Sequence, residues 1–294
     1  MAFGIAWFVS SIGGASPYEV SSAIPYSLSI FHSTFNILNT LLLIGFVPII
    51  VKLANKMVKA KDDEGEEEFR LQFIGTGILS TSELSIVQAK KEIAVYARRC
   101  CKMFSYVKHM FSETNGRKNT KLFEKISQYE NIVDRMEIEI ASYLTRVSEG
   151  EISHLGSKRV RAMLKIISDL ESIGDSCLNM AIVIDKKGEE KSMLTENARG
   201  KMDKMFNLVD EAFTVMCQNL ESEYSQISIT QAKELEEKIN KYRDTLRFEH
   251  GHDLENKECN YETSIFYTDI YSQCEKLGDF IINISEAILD VQAE

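Results

Sequence analysis

Proline is almost missing from this chain: the three present are Pro17, Pro25 and Pro48, so nothing beyond residue 48 breaks a helix in that way. Leu, Glu, Lys, Ala and Met recur there, and the expected fold class is all-α. Charge is missing from the other end, since the first 58 residues hold only Glu19, Lys52 and Lys56. The remainder carries 32 of the 34 basic and 43 of the 44 acidic residues, a net −11 against −10 for the whole chain, and is acidic. Such a surface repels phosphate backbones, and no basic stripe with interleaved aromatics offsets it, so nucleic acid is not an expected partner. P-loop, GxGxxG, GxSxG and HExxH motifs and a Cys-His nucleophile pattern are all lacking, which argues against an enzyme. The six cysteines show no CxxC spacing in a chain too large to need disulfide staples, which suits a reducing compartment. Adjacent Cys100 and Cys101 point to different sides of a helix and are expected to pack rather than to form a redox pair.

What the N-terminal part does have is apolar length. No charge falls between Val20 and Val51, and the run from Leu38 to Val51 is strongly apolar, so one transmembrane helix is expected over 26–52. Its polar residues Ser29, His32, Asn36 and Asn39 or Thr40 recur at spacings of three and four, along one face that would pack against other helices. Residues 1–18, interrupted by Gly13, Gly14 and Pro17, read as the tail of a preceding span or a re-entrant piece. Lys52, Lys56, Lys59 and Lys61 form a basic flank that marks the cytoplasmic side, so the acidic part is expected in the cytoplasm and the span in the cell (inner) membrane.

The expected organisation is a membrane segment at 1–58, an acidic linker and extended lead-in at 59–82, and a helical domain at 83–294. Asp62 to Glu68 is a solvated charge run, and Ser82 is a candidate cap. Beyond it, apolar residues recur at helical spacing through about 83–113, 119–148, 156–187, 195–223, 228–256 and 259–292, which predicts six helices in two antiparallel three-helix bundles.

Within that domain the chain nearly repeats itself. Glu171-Ser172-Ile173-Gly174-Asp175 and Glu275-Lys276-Leu277-Gly278-Asp279 each set two carboxylates on one helical face, beside a glycine that admits a neighbouring helix. Glu130 and Asp134 form a similar pair on the preceding helix, and Asp169 lies close in sequence. The second half offers Glu236 and Asn240 before Glu275 and Asp279 and is poorer in charge. Facing carboxylates in helical bundles suit hard or borderline cations, so Glu130, Asp134, Asp169, Glu171, Asp175, Glu236, Asn240, Glu275 and Asp279 are the candidate metal ligands, with iron, manganese, zinc or magnesium as candidate ions. Solvated acidic helix faces look the same in sequence. The single ExxH at Glu151–His154 reads as capping or surface chemistry, and Glu249 to Asp253 as a polar, mobile turn.

The span from Glu130 to Asp134, followed by Asp169 to Asp175 and echoed by Glu275 to Asp279, resembles PhoU, the phosphate-signalling regulator. The resemblance covers about 83–293 and implies two similar three-helix bundles, metal bound by acidic motifs, and action on a phosphate transporter and its sensor kinase. Phe31-His32-Ser33-Thr34-Phe35-Asn36 resembles the HxxFN segment near the end of the sodium/phosphate symporter family's membrane part. Together these imply the C-terminal part of a sodium-dependent phosphate symporter with a regulatory PhoU-like domain. Its partners would be the membrane, the remaining transmembrane part of the transporter, and sodium and phosphate in the complete transporter; homo-oligomerisation stays open. The symporter's two membrane repeats do not occur in this sequence, so this polypeptide alone is not expected to transport. The alternative is a membrane-tethered PhoU-like adaptor acting on a separate transporter or kinase.

Overall fold

The computed structural model describes residues 22, 24–57, 70–75, 81–188, 191, 194–222, 229–255 and 260–291. The chain divides into two compact units, Met1–Gly65 and Glu66–Glu294. In the first, α1 runs Ile24–Met57. Its described side chains are largely exposed, including Leu41 at 64% and Ile44 at 61%. Among the described residues no helix is long and apolar enough to cross a membrane. The expected span over 26–52 therefore finds no support there: Ser29, His32, Ser33, Thr34, Asn36, Asn39 and Thr40 dilute the apolar stretch, and the side chains of 47–57 lie outside the described residues. The expectations for residues 1–18, for the acidic run 62–68 and for Lys59 and Lys61 likewise fall outside them, as do the side chains of Lys52 and Lys56.

The second unit contains α2 (Ser82–Ser112), α3 (Gly116–Ser148), α4 (His154–Lys186), α5 (Glu196–Glu221), α6 (Ile229–Glu255) and α7 (Tyr261–Leu289). These lie within a few residues of the periodic stretches in the sequence, because apolar side chains at three and four spacing give each helix one face to bury. Local chemistry sets the starts. Asn115 Oδ1 accepts from the N–H groups of Arg117 and Lys118 before α3, and Ser153, Thr195 and Asn260 accept from Gly156, Ala198 and Thr263 before α4, α5 and α7. At α2 the cap position belongs to Thr81 rather than Ser82, and Thr81 makes no side-chain cap bond. Glu249 to Asp253 lies within α6 rather than in a turn, with His250 bonded to Ser264 Oγ at 2.6 Å. Residues 70–75 form a non-helical lead-in, pinned where the backbone N–H groups of Gln72 and Phe73 donate to the buried Glu92 carboxylate.

Helices α2, α3 and α4 pack on one another as a first bundle and α5, α6 and α7 as a second; the bundles join along two seams, α4 on α7 and α2 on α5. The α2–α5 seam is antiparallel. From one end to the other it pairs Arg98 with Glu221, Phe104 with Phe213, Lys108 with Asp210 and Phe111 with Phe206. One continuous apolar core runs through both bundles.

Candidate functional site

Glycine decides where the acidic helices meet. A Cβ on Gly174 would lie 2.9 Å from Val133 Cγ2, so α4 touches α3 at the residue directly before Asp134. A Cβ on Gly278 would lie 3.3 Å from both Cδ1 and Cγ2 of Ile239, directly before Asn240. The repeated motif is thus a repeated helix crossing: glycine on the last helix of each bundle sits on a β-branched residue of the middle helix, and the acidic residues flank the contact.

In the first bundle this brings Glu130 and Asp134 of α3 near Glu171 and Asp175 of α4. Burial raises the pKa values of Glu130, Asp134 and Glu171 above the ordinary carboxylate range, and neighbouring carboxylates raise them further. Two participants had no signal in the acidic-pair spacing. Glu137, one turn after Asp134, adds its charge to Glu171. Tyr96 of α2 is fully buried with no hydrogen-bond partner for its hydroxyl among the described residues; burial comes first in raising its pKa, and Cys100 and then Glu137, Glu171 and Asp134 add to it. Three helices therefore converge on one negatively charged place.

Asp169 does not join them. It lies on another side of α4, facing α7, where the charge of Lys165 and the nearby Asn283 amide partly oppose the effect of its burial. The two-residue offset from Glu171 turns it about 200° around the helix, which the short sequence separation hides.

The second bundle keeps the crossing and changes the charge. Arg243, where the register of α3 has Glu137, donates from Nη1 to Glu275 Oε1 at 2.9 Å, and Asn240 Nδ2 donates to Glu236 Oε1. Burial and Glu236 raise the pKa of Asp279, and Arg243 opposes them. Here the protein supplies its own cation.

Among the described residues no three His, Cys, Asp or Glu side chains converge closely enough to hold a metal ion. The oxygen donors of the first bundle suit a hard cation in kind, but as placed they do not fit a multidentate site.

A pH dependence follows from the raised carboxylate pKa values. Groups held more readily protonated in the folded state stabilise it below the ordinary carboxylate range, and that stability is lost as pH rises through their folded values. At neutral pH the triple variant Glu130→Gln/Asp134→Asn/Glu171→Gln is expected to unfold about 2–4 °C higher than the native chain. That corresponds to roughly 1 kcal/mol after solvent screening. The gap closes as pH falls to about 4. Calorimetry showing the same gap at both pH values would refute the repulsion.

Comparison with known proteins bears on the same helices. Residues 93–184 match the PhoU domain family. The matched segment runs from α2 to the end of α4, the bundle with the dense carboxylate cluster. Solved structures extend the likeness to both bundles. PhoU from Pseudomonas aeruginosa shares 12% identity at a TM-score of 0.62, covering 71% of this chain and 98% of that one. The phosphate transport system regulatory protein PhoU from Streptococcus pneumoniae shares 16% at 0.59, covering 72% and 97%. At such identities the likeness shows the fold: the chain carries a PhoU-like pair of helical bundles. No curated protein matches the chain, and none of these findings speaks for the symporter family.

Proposed function

We propose that this chain regulates phosphate transport through its PhoU-like domain. The observation that carries the reading is the coincidence of the PhoU family match with the bundle whose glycine crossing gathers Glu130, Asp134, Glu171 and Asp175. The role is regulatory rather than catalytic. In the finer reading the chain is the C-terminal part of a sodium-dependent phosphate symporter in the inner membrane, with the PhoU-like domain in the cytoplasm. The membrane part of that reading rests on the uncharged stretch from Val20 to Val51 in the sequence. The second reading, a membrane-tethered adaptor acting on a separate transporter or kinase, draws on the same uncharged stretch. The crowded first-bundle carboxylates also favour capture of a divalent cation after side-chain rearrangement.

Uptake of labelled phosphate tests this, in cells with the native gene, with the gene deleted, and with the Glu130→Gln/Asp134→Asn/Glu171→Gln/Asp175→Asn variant. Deletion and variant are each expected to change uptake several-fold at low external phosphate. Sodium-dependent uptake that disappears with the gene favours the symporter reading, and uptake that persists but no longer responds to phosphate favours the adaptor. Unchanged uptake in both strains would sink the proposal. For the cation, elemental analysis should find iron, manganese, zinc or magnesium on the native protein and not on the variant.

A further inference from the structure

We propose that Cys101 and Cys217 form a reversible disulfide that latches the first bundle to the second. Cys101 lies on α2 and Cys217 on α5, and their sulfurs are 3.2 Å apart as free thiols. They meet inside the antiparallel α2–α5 seam, between the Arg98–Glu221 ion pair and the Phe104–Phe213 contact. Both partners of the seam are helices held by the core, so the thiols are presented to each other by fixed backbones rather than by chance loop positions. Both side chains are half-buried, whereas Cys100, Cys177 and Cys274 are fully buried. Only a partly exposed thiol meets a soluble oxidant readily.

The hydrogen bond between Cys101 and Cys217 lowers the pKa of Cys217, and the Arg98 guanidinium adds to this, while burial and then Glu221 oppose it. That same hydrogen bond, followed by burial, raises the pKa of Cys101. The link that results is the same whichever sulfur attacks first, since either can donate in their contact.

With a hydroperoxide as oxidant and Cys217 attacking first, its thiolate attacks the outer peroxide oxygen. An S–O bond forms, the O–O bond breaks, and the alcohol or water leaves with the thiol proton. Cys101 sulfur then attacks the sulfenic sulfur; the S–S bond forms, the S–O bond breaks, and water departs. Two thiols lose one electron each, and the hydroperoxide gains both. A small thiol reverses the bond by exchange. The latch closes a loop of more than a hundred residues and holds the bundles in one mutual arrangement. It rests on the seam alone and is independent of any role in phosphate transport.

The test uses the full chain treated with hydrogen peroxide, followed by peptide mass spectrometry under non-reducing conditions, thiol counting and calorimetry. The expected result is one intramolecular Cys101–Cys217 link and a loss of two thiols. The midpoint should rise by about 5–10 °C, and dithiothreitol should restore both signals. Cys101→Ser and Cys217→Ser, each checked for helical content, should show neither the link nor the shift. Native protein that yields no Cys101–Cys217 peptide would overturn the proposal, as would oxidation that instead joins Cys259 or separate chains. An equal rise in midpoint in Cys217→Ser would overturn it as well.

Discussion

Phe104→Ala is expected to cost the six-helix unit about 3–5 kcal/mol, the range for removing a fully buried aromatic that leaves a cavity. Phe104 is 0% exposed and stands between bundles, with its ring 5.2 Å from Phe213 and 5.9 Å from Phe206. Truncation removes packing on both sides of the α2–α5 seam at once, and neither helix can collapse into the gap without leaving its own bundle. Chemical denaturation should show the loss. A variant within about 1 kcal/mol of the native chain would mean that the seam contributes little and the bundles fold separately.

Gly174→Leu should cost about 2–3 kcal/mol through overpacking. Even the first carbon of a side chain there would meet Val133 Cγ2 at 2.9 Å, and valine, branched at Cβ, cannot swing that methyl aside. Helix α4 must then lift from α3, drawing Glu171 and Asp175 away from Glu130 and Asp134. The matching glycine behaves differently. A Cβ at Gly278 would lie 3.3 Å from Ile239 Cδ1 and Cγ2, of which the Cδ1 end can rotate away. Replacing a helical glycine by alanine gains about 1 kcal/mol in propensity, so Gly278→Ala should fall near zero. Comparing Gly174→Ala with Gly278→Ala by denaturation isolates the contrast, and a Val133→Ala background should remove much of the cost of the first. Equal effects at the two glycines, or no recovery with Val133→Ala, would contradict the crossing geometry.

Much of this was legible in the sequence. The six helices of the second unit follow from apolar spacing and from caps such as Asn115, Ser153 and Asn260, because helix formation answers to neighbours three and four residues away. The repeated acidic pair with its glycine also announced itself, since both carboxylates and the glycine belong to one helix. Asp169 misled for the converse reason: nearness along the chain places residues on one helix without placing them on one face. Glu137, Tyr96 and Arg243 escaped notice because their parts depend on which helices cross. The cysteines behaved likewise, with adjacent Cys100 and Cys101 turning apart as expected, and Cys101 finding its partner on α5.

The sequence by itself determined the all-α class, the helix spans and the duplication, each a matter of periodicity and local hydrogen bonding within one segment. Only the tertiary structure decided which carboxylates meet, that Arg243 answers the charge of the second crossing, and that two half-buried thiols face each other across the bundle seam. Those outcomes depend on the register at which separate helices pack, and that register is set by long-range burial, including a glycine seated on a β-branched side chain. No window along the chain contains both partners of such a contact.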